Sequence, residues 1–166
     1  MTVNALNHIC FTVSDLQRAV VFWERLLGSA PESMTEYNDP QDEAVTGYPG
    51  VHISAAYFRL PGGALLELFQ YREPPTVPAA TSETYVVGNS HLGIVVDDLD
   101  ETYRKLQGTG ATFRSPGPVP IAAGEHTGAR SMYVRDPDGI TIEILDFPFT
   151  PASSAAQSHA GAERAK

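Results

Sequence analysis

His8-Ile9-Cys10-Phe11-Thr12-Val13-Ser14-Asp15-Leu16 returns 83 residues further on as His91-Leu92-Gly93-Ile94-Val95-Val96-Asp97-Asp98-Leu99. His, Val, Asp and Leu coincide at the first, sixth, eighth and ninth places. Each stretch is a β-rich run of strand length that ends in a helix start signal. Ser14 reads as an N-cap with Gln17 three residues on as a capping box, and Asp97 with Asp98 does the same for the second copy. The first helix then presents Leu16, Ala19, Val20, Trp23 and Leu27 on one stripe, and the second presents Leu99, Thr102, Tyr103 and Leu106. Spacings of three, four and seven mark one apolar face laid on a sheet. Gly28 and Gly108 supply the helix stops.

A second correspondence lies downstream. Tyr57-Phe58-Arg59-Leu60-Pro61-Gly62-Gly63-Ala64-Leu65-Leu66-Glu67-Leu68-Phe69-Gln70-Tyr71 matches Tyr133-Val134-Arg135-Asp136-Pro137-Asp138-Gly139-Ile140-Thr141-Ile142-Glu143-Ile144-Leu145-Asp146-Phe147. Tyr, Arg, Pro, Gly and Glu are identical, and most other pairs keep their apolar or aromatic type. Each copy reads as strand, Pro/Gly turn, strand, a β-hairpin. Each half is therefore a strand, a helix and about three strands. The chain is expected to be α+β, built from two tandem βαβββ modules over residues 1–72 and 91–147. Residues 73–90, with Pro74, Pro75 and Pro78 among Thr and Ser, read as an exposed linker. Residues 148–166 are Ala/Ser-rich without an amphipathic pattern and read as a disordered tail. The middle strands, in 29–50 and 109–121, are broken by Gly and Pro.

Composition bounds the function. The 166 residues are 42% hydrophobic, enough for a core. Twenty acidic residues against eleven basic ones give a net charge of −9, which disfavours nucleic acid. One Cys allows no internal disulfide, no run spans a bilayer, and the N-terminal residues lack a secretory pattern. The expected setting is the cytoplasm, with a small-molecule substrate and neither nucleic acid nor membrane as partner.

Four polar residues interrupt the apolar strands: His8, Glu67, His91 and Glu143. Glu is among the residues least often buried unless it is paired or bound to a metal. A lone His at a strand start is usually a satisfied core or edge residue, and a lone Glu usually points to solvent because strands alternate in and out. Repetition separates the readings: solvated residues have no reason to recur as His then Glu in two diverged halves. Two carboxylates and two imidazoles converging in an interior require a positive charge, which a divalent metal supplies.

His8 before Val13-Ser14-Asp15-Leu16, Leu66-Glu67-Leu68, His91 before Val95-Val96-Asp97-Asp98-Leu99, and Asp136-Pro137-Asp138-Gly139 leading to Glu143 together resemble the vicinal oxygen chelate superfamily. That superfamily holds glyoxalases, methylmalonyl-CoA epimerases, extradiol dioxygenases and bleomycin resistance proteins. The resemblance covers residues 4–147. It implies that the sheets curve into a cup-shaped open β-barrel around one divalent ion (Zn, Ni, Co, Mn or Fe) held by His8, Glu67, His91 and Glu143. It also implies a homodimer, in some members with the cup completed by modules of two chains. Two His and two Glu match glyoxalase-type enzymes; the epimerases usually carry Gln in the place of Glu67, and bleomycin resistance proteins usually lack the ligands.

From these ligands follows a metal-dependent isomerase, epimerase or glyoxalase-like lyase. The ion chelates neighbouring oxygens of a hydroxy-carbonyl substrate, and Glu67 or Glu143 shuttles a proton through an enediolate. Returned to the adjacent carbon, the proton gives isomerisation; returned to the opposite face, epimerisation. Two further classes stay open: an iron(II) extradiol-type dioxygenase using His8, His91 and Glu143, and a drug- or metabolite-binding resistance protein without turnover.

Strand alternation names the pocket walls as Cys10 and Thr12, Gly93 and Val95, Phe69 and Tyr71, and Leu145 and Phe147. The substrate-binding set is expected to be Cys10, Thr12, Phe69, Tyr71, Phe147 and His126, the last from a Gly-rich loop placed to close over the cup. The wall is largely apolar and aromatic, which suits a hydrophobic or ring-like substrate. Cys10 reads as a small filler rather than a nucleophile. His52, after a Pro-Gly turn, reads as solvent-facing, and the acidic stretch 32–43 as a solvated loop. In one place the family pattern is missing: glutathione-dependent glyoxalases commonly carry Arg four residues after the first ligand, where this chain has Thr12. The 116–126 loop also lacks Lys and Arg, so an anionic glutathione adduct fits poorly.

Overall fold

The structure is a computed structural model that describes residues 2–148. The expectation of a disordered tail falls, apart from Pro148, outside the described residues. The first half runs β1 (His8–Thr12), α1 (Leu16–Leu27), β2 (Ser33–Tyr37), α2 (Pro40–Thr46), β3 (His52–Arg59) and β4 (Leu65–Glu73). The second runs β5 (His91–Val95), α3 (Leu99–Leu106), β6 (Thr112–Phe113), β7 (Val119–Pro120), β8 (Arg130–Arg135) and β9 (Thr141–Asp146). The class is α+β, and the two sheets repeat one topology, β1-β4-β3-β2 and β5-β9-β8-β6, with β7 also on β8. The first strand of each half pairs in parallel with the last, and the hairpins β3–β4 and β8–β9 are antiparallel. The sheets stay separate rather than closing into one barrel.

Three local expectations change. The N-cap of α1 is Asp15, whose carboxylate accepts the Arg18 N–H at 3.0 Å. Ser14 is instead turned to Asp138, donating its hydroxyl there. The stretch 32–43 is not a plain loop, since it contains β2 and the start of α2, with Asp39 and Asp42 forming a capping box ahead of Pro40. Asp39 and Asp42 satisfy the helix N-terminus, while Glu32 and Glu36 pair with Arg59 and His52, so the acidic residues do more than solvate a loop. In the second half the middle strand is split into β6 and β7, as the Gly/Pro breaks suggest. Gly28 closes α1 in the left-handed conformation at φ 74°. Helix α3 ends at Leu106, with Gln107 rather than Gly108 at its C-cap.

Helix α1 buries Leu16, Ala19, Val20, Phe22 and Trp23. Phe22 widens the expected stripe because α1 packs on two surfaces, its own sheet and α3. Trp23 and Phe22 are fully buried, edge to face at 5.6 Å, and each contributes about 2–3 kcal/mol by burial. Leu66, Leu68, Ala56 and Phe58 from the first sheet and Ile142, Ile144, Met132 and Val134 from the second belong to the same core cluster as α1 and α3. The helix-covered faces of both sheets thus share one core. The opposite, open faces, which carry the alternate residues of every strand, lie outside it. Among the described residues no helix is long and apolar enough to cross a membrane.

Candidate functional site

The period of two puts His8, Cys10 and Thr12 on the open face of β1, because Phe11 packs against the core and Ile9, half-buried, shares its face. In register, Cys10 stands beside Glu67, Thr12 beside Phe69, and Tyr57 beside Glu67 on its other side. The second sheet repeats this: Gly93 stands beside Glu143, and Tyr133 beside Glu143. His and Glu therefore meet across one parallel strand pair in each half. His8 Nδ1 lies 3.4 Å from Glu67 Oε1, and His91 Nε2 lies 3.4 Å from Glu143 Oε2. His8 Nδ1 also approaches Asn7 Oδ1 at 2.8 Å.

The four expected ligands come together as two pairs. Among the described residues no three His, Cys, Asp or Glu side chains gather at one point. The reason is the shared core: with both helix-covered faces turned inward, each open face carries its own half of the set. Each pair fits a metal in chemistry and spacing, since two donors held about 2.1 Å from one divalent ion stand about 3.0–3.4 Å apart. Each pair also supplies only half of a four-donor set. The imidazoles remain accessible, at 46% for His8 and 40% for His91, while the carboxylates of Glu67 and Glu143 are sunk to 11% and 23%. The accessible nitrogens over recessed carboxylates leave room above each pair for a further ligand.

Around Glu67 the open face is aromatic. Phe69 lies between Tyr37 and Tyr57, with ring centroids 5.8 and 6.4 Å away, and Tyr71 meets Tyr48 edge to face at 6.0 Å. The Tyr37 and Tyr57 hydroxyls hydrogen-bond to each other. Burial, then the Tyr37 hydroxyl, push the Tyr57 phenol upward, and burial pushes Tyr71 the same way, so both stay protonated donors. Cys10 is exposed as a residue, yet burial of its thiol and then the Glu67 charge push that thiol up to about 12. A thiol so held is a poor nucleophile at neutral pH, in line with its reading as a filler.

Around Glu143 the open face is built differently. Ser131 Oγ donates to Oε1 at 3.0 Å and Tyr133 OH donates to Oε2 at 3.2 Å. Burial, then the Glu143 charge, push the Tyr133 phenol upward. Its ring also meets His91 edge to face at 5.3 Å. His126 meets Phe147 edge to face at 5.6 Å, which places the 121–129 loop against the end of β9. Sequence reasoning passed over Tyr57, Tyr133, Ser131 and Tyr37. The signal for the first two was present, as the Tyr at equal places of both hairpins, two residues before the shared Arg. Ser131 and Tyr37 have no counterpart in the other half and left no such mark.

His52 stands apart from both pairs, its Nε2 2.9 Å from Glu36 Oε2, beside Ser54. A cleft of about 410 Å³ opens between the end of β1, the 76–90 segment and the β8–β9 turn. It includes Thr12 and none of the four candidate ligands. The arginines at equal places of the hairpins are committed elsewhere: Arg59 to Glu32 at 2.7 Å, and Arg135 to Glu83 at 3.2 Å and the Ser82 carbonyl at 2.8 Å.

Each half repeats one sheet topology and carries a His–Glu pair on the open face of its sheet. Residues 5–144 match the model of the glyoxalase/bleomycin resistance protein/dioxygenase superfamily, and the chain belongs to that superfamily. A 2-epi-5-epi-valiolone epimerase from Actinomyces sp. is 29% identical over 148 residues, covering 87% of this chain and 80% of its own. A metallothiol transferase FosB from Shouchella clausii (strain KSM-K16) is 28% identical over 142 residues, covering 86% and 80%. Among solved structures, a glyoxalase family protein from Bacillus cereus superposes with a TM-score of 0.75 at 23% identity, over 88% of this chain and 95% of its own. The last likeness concerns the fold alone.

Proposed function

We propose that this chain is a divalent-metal-dependent isomerase, epimerase or glyoxalase-like lyase acting on a small, uncharged hydroxy-carbonyl compound, and that it works as a homodimer. The observation that carries the reading is the twofold His–Glu pairing at 3.4 Å, at equal register positions of two sheets. His8 and Glu67 of one chain with His91 and Glu143 of a second would complete a four-donor set that one chain leaves in halves. A divalent ion bound there would supply Lewis acidity to two neighbouring oxygens of the substrate, making the C–H beside its carbonyl acidic.

The protein's own groups do the rest. A carboxylate on the open face removes that proton and returns it to the same or the next carbon. Of the hydrogen-bonded Tyr37 and Tyr57 hydroxyls, the one that keeps its proton free is a donor for a substrate oxygen, and Phe69, Tyr71 and Phe147 pack its apolar part and exclude water. Cys10 and Thr12 would line the floor beside His8, and His126, edge to face with Phe147, would cover the rim. Both hairpin arginines are already neutralised, and the chain carries −9 overall, so a strongly anionic substrate is disfavoured. The relative named as an epimerase of a valiolone supports a cyclic, polyhydroxylated ketone as substrate class.

The test is purification of the full chain followed by metal analysis and solvent exchange. One divalent ion per chain is expected, with deuterium from heavy water entering the carbon beside the carbonyl of 2-epi-5-epi-valiolone, read by NMR. A metal-free protein whose divalent-ion affinity is unchanged by His91→Ala would sink the reading. Oxygen uptake with a catechol would replace it by the dioxygenase.

A further inference from the structure

We propose that the two carboxylates divide the work: Glu67 takes and returns the substrate proton, while Glu143 is a fixed ligand that stays in place. This rests on the function proposed above and goes further by assigning the two chemically identical residues different roles.

The halves differ at three points around these carboxylates, and all three act in one direction. Glu143 has both oxygens held, by Ser131 and by Tyr133. The residue equivalent to Ser131 in the first half is Ala55, which has no donor. The equivalent of Tyr133 is Tyr57, on the strand beside Glu67 in the same register, but its hydroxyl is paired with Tyr37 instead. Tyr37 comes from β2, whose counterpart in the second half is reduced to the two-residue β6 and β7. Among the described residues, Glu67 therefore accepts no side-chain hydrogen bond: His8 Nδ1 stands 3.4 Å from Oε1, and Cys10 and Tyr57 lie beside it in register without donating to it.

A carboxylate with a donor on each oxygen keeps a second lone pair for a metal but has its rotamer held, which suits a ligand and hinders a base that must swing to carbon. One without donors is free to turn between a metal and a carbon. In the step itself the Glu67 carboxylate takes the proton of the C–H bond beside the carbonyl. The C–H electron pair becomes the carbon–carbon double bond as the carbonyl π pair moves onto oxygen, to which the one hydroxyl of the Tyr37–Tyr57 pair that keeps its proton free can donate. The proton then returns from the Glu67 carboxylic acid to carbon, leaving the carboxylate as it began.

The experiment uses the full-length protein with Co²⁺ as the metal probe and 2-hydroxycyclohexanone as the carbon-acid probe. Co²⁺ affinity and visible spectrum are read by titration, and exchange of the C2 proton by NMR in heavy water. Glu143→Gln is expected to weaken Co²⁺ binding by about 10-fold or more and alter its spectrum, while retaining exchange within about 10-fold at saturating Co²⁺. Glu67→Gln is expected to bind Co²⁺ more nearly normally and lose exchange by about 100-fold or more. Ala55→Ser, which gives Glu67 the donor that Glu143 has, is expected to slow exchange about 3- to 10-fold and shift its pH profile, with Co²⁺ affinity within about 2-fold. Exchange at the unaltered rate in Glu67→Gln, or its loss in Glu143→Gln at saturating Co²⁺, would overturn the division of roles while leaving the proposed function standing. An unaltered protein that neither binds Co²⁺ nor exchanges the probe would overturn both.

Discussion

Asp136 is 3% exposed and is a buried carboxyl at the mouth of the last hairpin. Its Oδ1 accepts the N–H groups of Asp138 at 2.9 Å and Ile140 at 2.8 Å, and its Oδ2 is buried without a hydrogen-bond partner among the described residues. The Trp23 indole N–H exerts a small downward pull on this carboxyl without reaching hydrogen-bond geometry. Burial dominates and raises the pKa from 3.8 to about 6. The folded chain therefore holds this proton more tightly than the unfolded one, so the group adds stability below about pH 4, and the addition is lost as pH rises through about 6. The loss is at most about 3 kcal/mol. Urea unfolding between pH 4 and 7 should show this falling limb, and Asp136→Asn should flatten it; an unchanged slope in the variant would place the titration elsewhere. The turn Asp136-Pro137-Asp138-Gly139 was legible in the sequence as a turn. Its second use was not, because Arg18 of α1 reaches Asp138 at 2.7 Å across 120 residues of chain, and no local pattern encodes that contact.

At the scale of elements, the repeated strand and hairpin patterns carry most of the architecture, since period-two alternation and Pro/Gly turns are local properties. What the elements touch differs between the halves. Gly63 and Gly139 occupy equal places of the two hairpins, at φ 94° and 87°. A Cβ on Gly63 would meet nothing within 4 Å, whereas one on Gly139 would come within 2.3 Å of Ser82 Oγ. Both Ala substitutions strain the backbone by about 1 kcal/mol. Gly139→Ala should cost about 1–2 kcal/mol more in urea unfolding, because it must also push away the 73–90 segment. Equal costs would mean that this segment is not packed on the second hairpin. The helix α2 was hidden within an acidic stretch for a related reason: its seven residues bury no side chain fully, so there was no apolar stripe to see, and only the Asp39-Pro40 start and the Asp42 capping partner marked it.

At the scale of the whole molecule, the open faces of the two sheets lie outside one shared core, and each carries a His–Glu pair. A site drawing on both pairs then needs a second chain, and mixing discriminates this from a site within one chain. His8→Ala and His91→Ala proteins should each lose tight divalent-ion binding by about 10- to 100-fold. Unfolded together and refolded as a mixture, they should regain about one strong site per mixed dimer, assembled from the intact half of each chain. No regain, with both variants folded and dimeric, would place the ligands of each site in one chain. Dimer dissociation should also require higher dilution with metal present than after chelation, because the ion binds only the assembled form.

The repeat, the α+β class, the two hairpins and the four candidate ligands were all set by residue pattern alone. Each depends on periodicity or on identity between two copies, and neither needs a long-range contact to be seen. Tertiary structure decided the rest. It laid α1 against α3 and fused two helix-covered faces into one core, which split the four candidate ligands into two pairs. It also sent the Tyr57 hydroxyl to Tyr37 and the Tyr133 hydroxyl to Glu143, making unequal two carboxylates that look alike in sequence. The physical reason is common to both: hydrogen bonds and buried faces between distant segments depend on which surfaces pack together, and strand periodicity determines only which residues share a face.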